Sequence, residues 1–473
     1  MHIYFSGIGG TAIGPLALIS KQAGYEVSGS DANHTQYIDY LKKGGVNDVH
    51  IGQTREAIAE VHARKLIDWF VYTSALPITN PDHPELVFCK DNHIRTSKRD
   101  ELLNEILTQK HLKLMAIAGT HGKTTTTAMA IWLFKQLDLP VSYSLGAKIN
   151  FGDMGHYEPS SEYFVYECDE FDRNFLAFHP HLSIISGVAW DHHEIFPTKE
   201  NYNQAFGDFL NQSQKAVLWQ EDAKNLGLPE ADTKLTIESY ENLQITDIKL
   251  AGLYNRRDAW LVVKAVGLLT GEPQEKLIQL MNDFPGVSRR FEKLADNLYT
   301  DYAHTPEKIT GAMSVALETL EKMSGRPRAQ VLMESKETSS NASEPYQAYG
   351  EREAQKITPE SAKPGLVVIY EPLTNRRMHY MKDQHCGIFT GVDTLYWVPS
   401  YLAREDPSQT ILSPAQLIEY LDDKTKALAK PMKLDENLRK TIETHLKNGD
   451  LVLALSGGSA GSLDDWLRRN FTG

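Results

Sequence analysis

One stretch of the sequence decides the fold: Ala116-Ile-Ala-Gly-Thr-His-Gly-Lys-Thr-Thr-Thr-Thr127. The apolar run Leu114–Ala118 predicts a buried strand, and a helix is predicted over Thr124–Leu137. Between them lies a loop with glycines at positions 119 and 122. Backbone N–H groups at such a helix start bind phosphate oxygens, and the helix dipole favours the anion. The stretch therefore predicts a phosphate-binding loop between a strand and a helix.

Two side chains of this loop carry the expected chemistry. Lys123 is placed to contact the β- and γ-phosphates of a nucleotide, and the Thr124 hydroxyl to ligate Mg²⁺. The strict phosphate-loop pattern requires glycine where Ile117 stands, so the general pattern is not met. The alternative is an ordinary strand–turn–helix with a chance Gly-Lys-Thr. The flanking strand and helix favour the phosphate loop.

Acidic residues and histidines follow two further predicted strands. Glu167-Cys-Asp-Glu-Phe-Asp172 comes directly after one, and Asp191-His-His-Glu194 comes after the strand Leu182–Ser186. Such side chains at the carboxyl ends of strands can complete a metal site beside a phosphate loop. Alone, the first cluster is typical of a solvated turn and the second of structural histidines. Together, behind a phosphate loop, they favour a metal site.

A second glycine loop lies at the N-terminus. Gly7-x-Gly9-x-x-Ala12 follows the predicted strand His2–Phe5, and Asp31 follows the next strand. This spacing fits a dinucleotide fingerprint and favours a nicotinamide-dependent oxidoreductase if taken alone. However, the fingerprint reports only a phosphate near a helix N-terminus, which a UDP-linked sugar supplies equally well.

Length and charge limit the possible classes of protein. A chain of 473 residues is expected to form two or three domains. A formal charge of −13 argues against nucleic acid as a main partner. The apolar runs are too short to span a bilayer, and the N-terminus has no basic segment of a signal peptide. The three scattered cysteines favour reduced thiols, so we expect a cytoplasmic protein without a membrane partner.

Alternating strands and helices predict an α/β fold with parallel sheets covered on both faces. We place the domains at residues 1–108, 109–286 and 287–473, with a boundary at Phe284-Pro-Gly286. The polar segment at about 334–363 is rich in Ser, Glu and Pro, which indicates a long surface insertion or a disordered loop.

In their order along the chain, these motifs resemble those of the Mur ligase family. Ala118–Thr127 is similar to the ATP loop of the family, Gly7–Gly14 to its UDP-binding loop, and Glu167–Asp172 and Asp191-His192 to its acidic and Asp-His motifs. Three later segments match as well: Gly252-Leu-Tyr-Asn255, Arg289-Arg-Phe-Glu292 and Asp301-Tyr-Ala-His-Thr-Pro306. The resemblance covers nearly the whole chain.

The resemblance implies a Rossmann-like UDP-sugar domain, a central P-loop ATPase with a parallel sheet, and a Rossmann-like C-terminal ligase domain. It also implies ATP and Mg²⁺ as cofactors, and amide-bond formation on the lactyl carboxylate of UDP-N-acetylmuramate through an acyl phosphate, in peptidoglycan synthesis. The expected partners are this sugar nucleotide and either L-alanine or a short peptide, and the protein is expected to be a monomer or a homodimer.

The resemblance also assigns candidate site residues. The catalytic set is Lys123, Glu167, His192 and Arg290, and the metal ligands are Thr124, Glu167 and His192. The ATP contacts are Gly119, Thr120, His121, Gly122, Lys123, Thr124, Thr125, Asn255, Arg290 and Asp301. The UDP-sugar contacts are Gly7, Gly9, Gly10, Thr11, Asp31 and Ser74. The amine substrate is assigned to His304 and Arg377.

Two branches of the family remain open, one that adds L-alanine and one that adds a recovered tripeptide. Arg289–Glu292 and Asp301-Tyr302 favour the alanine branch, which we place first. Thr374-Asn375 and Ser456-Gly-Gly458 favour the tripeptide branch. Asp258 departs from the family, which usually has asparagine there. Remote alternatives are the nicotinamide enzyme and a nucleotide-binding protein that has lost catalysis.

Overall fold

The computed structural model describes residues 1–473 except 74–75, 78–79, 193–194, 230, 325–363, 404 and 473. The described residues form two compact units, Met1–Ser288 and Arg289–Gly473. The predicted insertion at 334–363 lies outside the described residues. No helix in the described ranges is both long enough and apolar enough to cross a membrane.

The first sheet of the larger unit has five parallel strands in the order β3-β2-β1-β4-β5. Its strands are β1 (His2–Ser6), β2 (Glu26–Asp31), β3 (Asp48–Ile51), β4 (Trp69–Tyr72) and β5 (Arg95–Lys98). The helices of this region are α1 (Ile13–Gln22), α2 (Gln36–Lys43), α3 (Arg55–Arg64), α4 (Pro84–Asp91) and α5 (Arg99–Gln109). All carboxyl ends of these strands lie at one edge of the sheet, where ligands bind in such folds.

The second sheet has seven strands in the order β12-β11-β10-β6-β9-β7-β8, of which only the β7–β8 pair is antiparallel among the described pairings. Its strands are β6 (Lys113–Ala118), β7 (Val141–Ser144), β8 (Gly155–His156), β9 (Tyr163–Glu167), β10 (Leu182–Ile185), β11 (Ala216–Trp219) and β12 (Leu235–Glu238). The helices are α6 (Lys123–Gln136), α7 (Lys199–Gln212), α8 (Gln220–Asn225), α9 (Leu253–Thr270) and α10 (Gln274–Asn282).

Strand β6 shows why a continuous apolar run becomes a central strand. Ala116 and Ala118 lie in one hydrophobic core, whereas Met115 and Ile117 lie in the core on the other face of the sheet. Side chains of a strand alternate between faces, so a strand that is covered on both faces must be apolar at every position.

Helix α1 packs directly on β8 and so joins the first sheet region to the second. A Cβ atom at position 155 would lie 2.6 Å from the Pro15 carbonyl oxygen, so only glycine allows this approach. The Tyr157 N–H donates a hydrogen bond of 2.7 Å to the Gln22 side chain at the end of α1. Helix α1, which follows the glycine loop, is therefore held against β8 at the edge of the second sheet.

Among its described residues, the smaller unit contains a six-stranded sheet in the order β13-β14-β18-β15-β16-β17, in which only β13 is antiparallel to its neighbour. Its strands are β13 (Glu292–Ala295), β14 (Leu298–Asp301), β15 (Leu366–Glu371), β16 (Thr394–Trp397), β17 (Ala429–Pro431) and β18 (Leu451–Ser456). The helices are α11 (Pro306–Ser324), α12 (Asn375–Met381), α13 (Pro414–Ile418), α14 (Asp423–Leu428), α15 (Glu436–Lys447) and α16 (Leu463–Phe471).

The predicted α/β class with three regions built on parallel sheets is confirmed. The strands of the three sheets fall within residues 2–98, 113–238 and 292–456. The division into three domains stays a prediction, because the described residues separate into two units with the first two sheets in one of them.

Candidate active site

The phosphate loop has the predicted geometry of a strand, a glycine turn and a helix. β6 ends at Ala118 and α6 begins at Lys123, with Gly122 capping the helix at a φ of +77°. A Cβ atom at position 122 would lie 2.5 Å from an oxygen of Asp258, so glycine is required there. The first N–H groups of α6, including those of Thr124 and Thr125, have no partner within the helix and are the donors that an anion needs.

Hydrogen bonds of Thr120 and His121 hold the loop in place. The Thr120 N–H donates to the Gly187 carbonyl, and its buried hydroxyl bonds the Ala189 backbone and the Tyr202 hydroxyl. The His121 carbonyl accepts a hydrogen bond from the Ser186 hydroxyl. These predicted ATP contacts thus fix the loop to the end of β10.

Lys123 is the cation at the centre of the site. Its ammonium donates to the Gly119 carbonyl at 2.7 Å and to Glu170 at 2.6 Å. Burial acts to lower the pKa of Lys123, but the charges of Glu170 and Asp169 outweigh it and raise that pKa. The lysine therefore stays positively charged at neutral pH.

Glu170 is a functional residue that the sequence analysis did not single out from the acidic motif. It is fully buried and also contacts the His192 ring at 3.5 Å. Burial acts to raise the pKa of Glu170, but Lys123 and the hydrogen bonds from His192 and Lys123 lower it to about 2. The pKa of His192 is raised, because its bond to Glu170 and the nearby acids outweigh its burial. A positive lysine, a carboxylate and an imidazole therefore meet at the loop.

Thr124 and Glu167 are brought together as predicted metal ligands. The Thr124 hydroxyl donates to one oxygen of Glu167 at 2.6 Å, and the other oxygen accepts the Gly146 N–H at 2.7 Å. His192, the third predicted ligand, contacts Glu170 instead. In the described ranges no group of three or more His, Cys, Asp or Glu side chains is placed to hold a metal. A hydroxyl and a carboxylate nevertheless suit Mg²⁺, which keeps waters and binds one or two carboxylates plus substrate phosphates.

The start of α9 adjoins the phosphate loop. The Asn255 side chain donates to the Ala251 carbonyl at 2.8 Å, two residues before the helix begins. Asp258, where the family usually has asparagine, is buried beside Gly122. Burial raises the pKa of Asp258 to about 8, and a hydrogen bond with Thr126 opposes this rise only in part. Asp258 is therefore a neutral acid at pH 7 and resembles the amide it replaces.

The N-terminal glycine loop is held by its own neighbours. The N–H groups of Gly7 and Ile8 both donate to the Ser30 carbonyl, and the Gly9 N–H donates to Asp31 at 2.9 Å. Gly10 and Thr11 are exposed beside them. Ser74, the remaining predicted UDP-sugar contact, lies outside the described residues. The predicted Gly7, Gly9 and Asp31 are thus adjacent at the carboxyl edge of the first sheet.

A buried carboxylate underlies this loop. Glu85, from α4, accepts hydrogen bonds from the hydroxyls of Tyr4, Ser6 and Ser30 at the ends of β1 and β2. Its position in a Pro-Glu pair after a loop gives no sign of this role in the sequence. It fixes the strand ends from which the loop departs.

In the smaller unit, Arg290 and Asp301 lie together at the end of β14. Asp301 accepts the N–H groups of Phe291 and Ala303, at 2.7 and 2.8 Å. The Arg290 guanidinium lies 5.3 Å from the centre of the Tyr302 ring. Burial raises the pKa of Asp301, and the charge of Arg290 opposes that rise. These two predicted ATP contacts are therefore neighbours in space.

His304 lies near the positive side chains of Lys308, Arg377 and Arg290 in the same unit. The His304 ring is buried and bonds the Tyr302 carbonyl at 2.7 Å. Burial, with the charges of Lys308, Arg377 and Arg290, lowers the pKa of His304 to about 3. The imidazole is therefore neutral at pH 7 among positive side chains, as a site for an anionic substrate requires.

Family models and solved structures match this chain over most of its length. The description "Mur ligase family, catalytic domain" matches residues 2–111, and "Mur ligase middle domain" matches residues 117–258. The UDP-N-acetylmuramate–L-alanine ligase of Salinispora arenicola is 30% identical over 390 residues, covering 75% of this chain and 71% of that protein. Its counterpart in Clostridium acetobutylicum is 25% identical and covers 96% and 95%.

Two solved structures share the fold. The UDP-N-acetylmuramate-alanine ligase MurC of Thermotoga maritima has a TM-score of 0.69 at 22% identity, covering 97% of this chain and 96% of its own. The murein peptide ligase of Psychrobacter arcticus has a TM-score of 0.57 at 21% identity with the same coverage. The chain therefore belongs to the Mur ligase family and is an ATP-dependent ligase of peptidoglycan synthesis.

Proposed function

We propose that the protein joins the lactyl carboxylate of UDP-N-acetylmuramate to the amine of L-alanine, with ATP converted to ADP and phosphate. The observation that carries this proposal is the pairing at the phosphate loop, where Lys123 meets Glu170 and Thr124 meets Glu167. This arrangement supplies a cation for a γ-phosphoryl group and oxygen ligands for a metal at one helix start. The names of the two curated relatives given above specify the same two substrates, UDP-N-acetylmuramate and L-alanine.

The chemistry requires activation because a carboxylate is a poor acylating agent. One carboxylate oxygen attacks the γ-phosphorus of ATP, the bond to the β–γ bridging oxygen breaks, and ADP leaves. The amine then attacks the carbonyl carbon of the acyl phosphate, loses a proton, and phosphate leaves with the electron pair of the broken C–O bond. Two anions must approach in the first step, so electrostatic screening is the largest contribution expected from the protein.

Each predicted catalytic residue has a place in this scheme. Lys123 would neutralise the γ-phosphoryl group, and Thr124 and Glu167 would hold Mg²⁺. When bound, Mg²⁺ supplies further screening of the phosphate charge. We assign His192 to hold Glu170 and through it Lys123, since that is its contact. Arg290 and Asp301, in the smaller unit, stay proposed ATP contacts.

The amine is assigned to the region of His304 and Arg377. The planar guanidinium of Arg377 suits the carboxylate of an amino acid. The alternative amine is the tripeptide, which Thr374-Asn375 favoured in the sequence. Asn375 is fully buried, however, and its amide donates to the Thr410 carbonyl and accepts the Leu412 N–H. It therefore holds a loop, and its identity is weak support for a tripeptide contact.

The test is phosphate release from ATP and Mg²⁺ with UDP-N-acetylmuramate, comparing L-alanine with L-Ala-γ-D-Glu-meso-diaminopimelate. Release stimulated by alanine is the expected result. Release stimulated only by the tripeptide would assign the enzyme to cell-wall recycling. If neither L-alanine nor the tripeptide stimulates phosphate release, the proposal is contradicted. That result would favour a nucleotide-binding protein without catalytic activity.

Small molecules are the proposed partners, and a monomer or homodimer in the cytoplasm is the state expected from the sequence. Family membership excludes the nicotinamide-dependent oxidoreductase that the first glycine loop suggested.

A further inference from the structure

Lys98 lies at the carboxyl edge of the first sheet. It is the last residue of β5, and Asp31 is the last residue of β2 in the same parallel sheet. The glycine loop begins directly after β1, which lies between those strands. Lys98 therefore belongs to the edge that is proposed to bind the sugar nucleotide, although no motif of the sequence marks it.

The Lys98 side chain reaches the acidic motif of the second sheet region. Its ammonium donates a hydrogen bond of 2.7 Å to Asp172. Asp172 lies two residues after Glu170, which binds Lys123 at 2.6 Å. Lys98 thus connects the sugar-nucleotide edge with the residues that surround the phosphate loop. In the proposed reaction, the carboxylate of the sugar nucleotide has to come next to the γ-phosphate that the loop binds.

The backbone around Asp172 is held in an unfavourable conformation. Asp172 and Arg173 have φ angles of +54° and +57°, in the left-handed region that residues with a Cβ atom avoid. Such conformations persist where the surroundings fix them, and they cluster at binding and catalytic sites.

We propose that Lys98 binds the carboxylate of the sugar nucleotide and positions it for attack on ATP. This inference rests on the proposed function. An ammonium has three N–H donors, so Lys98 can keep Asp172 and still bind a second anion. Its side chain is 37% exposed, which leaves it accessible to a ligand. The hydrogen bond to Asp172 raises the pKa of Lys98, so the side chain is a cation at neutral pH.

The competing explanation is an ordinary ion pair between two partly exposed side chains, which contributes little to stability. Lys113 and Glu162 form such a pair at 2.6 Å, with 47% and 56% of the side chains exposed, at the opposite end of β6 from the phosphate loop. The substitution Lys113→Met is therefore a matched control for Lys98→Met. Both variants are expected to fold and to melt close to the wild type.

The experiment measures the affinity of each full-length protein for two ligands by calorimetry. UDP-N-acetylmuramate has the lactyl carboxylate, whereas UDP-N-acetylglucosamine has the same nucleotide and hexosamine without it. Lys98→Met should weaken binding of the first ligand by about 10- to 100-fold, the usual contribution of a charged hydrogen bond, and leave binding of the second unchanged. Lys113→Met should change neither affinity. Asp172→Asn, which keeps the cation, should retain the preference for the carboxylate.

Four results would overturn the inference. Lys98→Met with unchanged affinity for UDP-N-acetylmuramate, or with equal losses for both ligands, would show an incidental or a purely structural role. Loss of the preference in Asp172→Asn would assign the effect to the ion pair as a structural unit. A wild-type protein that binds neither ligand would contradict the proposed function itself, and the inference with it.

Discussion

Lys123 and Glu170 form a buried ion pair, in which each charge offsets the desolvation cost of the other. Charges that leave water are costly unless they are paired and hydrogen-bonded. Glu170 is fully buried and Lys123 is 15% exposed, so each charge depends on the other, with His192 beside Glu170 and Asp169 near Lys123. The pair keeps the lysine charged and fixed next to the helix start where phosphate is expected.

Replacing Lys123 by methionine should lower the rate of ATP-dependent ligation by about 10²- to 10³-fold, because a positioned cation is lost where transition-state charge develops. The single variant also leaves Glu170 buried without its partner, which should cost about 3–5 kcal/mol of stability. Initial rates and thermal melting measure both effects.

The double variant Lys123→Met with Glu170→Gln is the control for folding. It should melt closer to the wild type and remain inactive. Recovery of activity in the double variant, or near-normal activity in the single one, would show that Lys123 does not act on the phosphoryl group.

Asp258 gives the site a dependence on pH. Its pKa is about 8 in the folded protein against the usual 3.8 of an aspartate. The folded state therefore holds the proton more tightly, so this contribution to stability is present below about pH 4 and is lost as pH rises through 8. Asp258→Asn cannot lose a proton, so its melting temperature should exceed that of the wild type by an amount that grows from pH 5 to pH 8. A difference that stays constant with pH would contradict the assignment.

The ends of helices and strands carry the residues of the candidate site. The sequence predicted the phosphate loop, its strand and its helix, because apolar periodicity and glycine spacing are local signals. It also placed Glu167 at the end of β9. It did not separate the four acids of the motif, because they are alike in type and close in sequence.

In the folded chain, the four acidic side chains have different partners. Glu167 and Glu170 bind side chains of the phosphate loop and α6, whereas Asp169 and Asp172 pair with Arg99 and Lys98. The left-handed turn at Asp172 and the partners more than 40 residues away in sequence create this division, and no local pattern contains them.

The contact of α1 with β8 is a second feature of elements that can be tested. Gly155→Ala should force the Pro15 backbone away and lower stability by about 1–3 kcal/mol, the usual cost of overpacking. Gly207→Ala is the matched control, since position 207 lies in α7 and a Cβ atom there meets nothing within 4 Å. The control should be neutral or slightly stabilising. Equal melting temperatures for the two variants would refute the close approach.

For the whole molecule, order of motifs along the chain was the most informative signal. Three regions built on parallel sheets follow one another as expected, and the glycine loop, the phosphate loop and the acidic motif all lie in the larger unit. Arg290, Asp301, His304 and Arg377 lie in the smaller unit. The proposed site residues are therefore divided between the two units.

Partition into units depends on long-range packing, which the sequence does not display. One hydrophobic core contains residues of both the first and the second sheet, such as Phe5 and Ala116, and α1 packs on β8 through Gly155. The two sheets therefore lie in one unit, although alternating strands and helices indicated separate domains. The sequence could not assign the amine substrate for the same reason. Asn375 matches a motif of the tripeptide branch, but in the fold it is buried and holds a loop through hydrogen bonds to Thr410 and Leu412.

The stoichiometry of the reaction tests most directly whether the protein joins UDP-N-acetylmuramate to L-alanine at the expense of ATP. The purified protein would be incubated with ATP, Mg²⁺, UDP-N-acetylmuramate and L-alanine, and the product and phosphate quantified by mass spectrometry and a phosphate assay. We expect one phosphate for each molecule of UDP-N-acetylmuramoyl-L-alanine, and neither product when the sugar nucleotide is omitted. ATP hydrolysis that does not depend on the sugar nucleotide, or the absence of an amide product, would contradict the proposed activity.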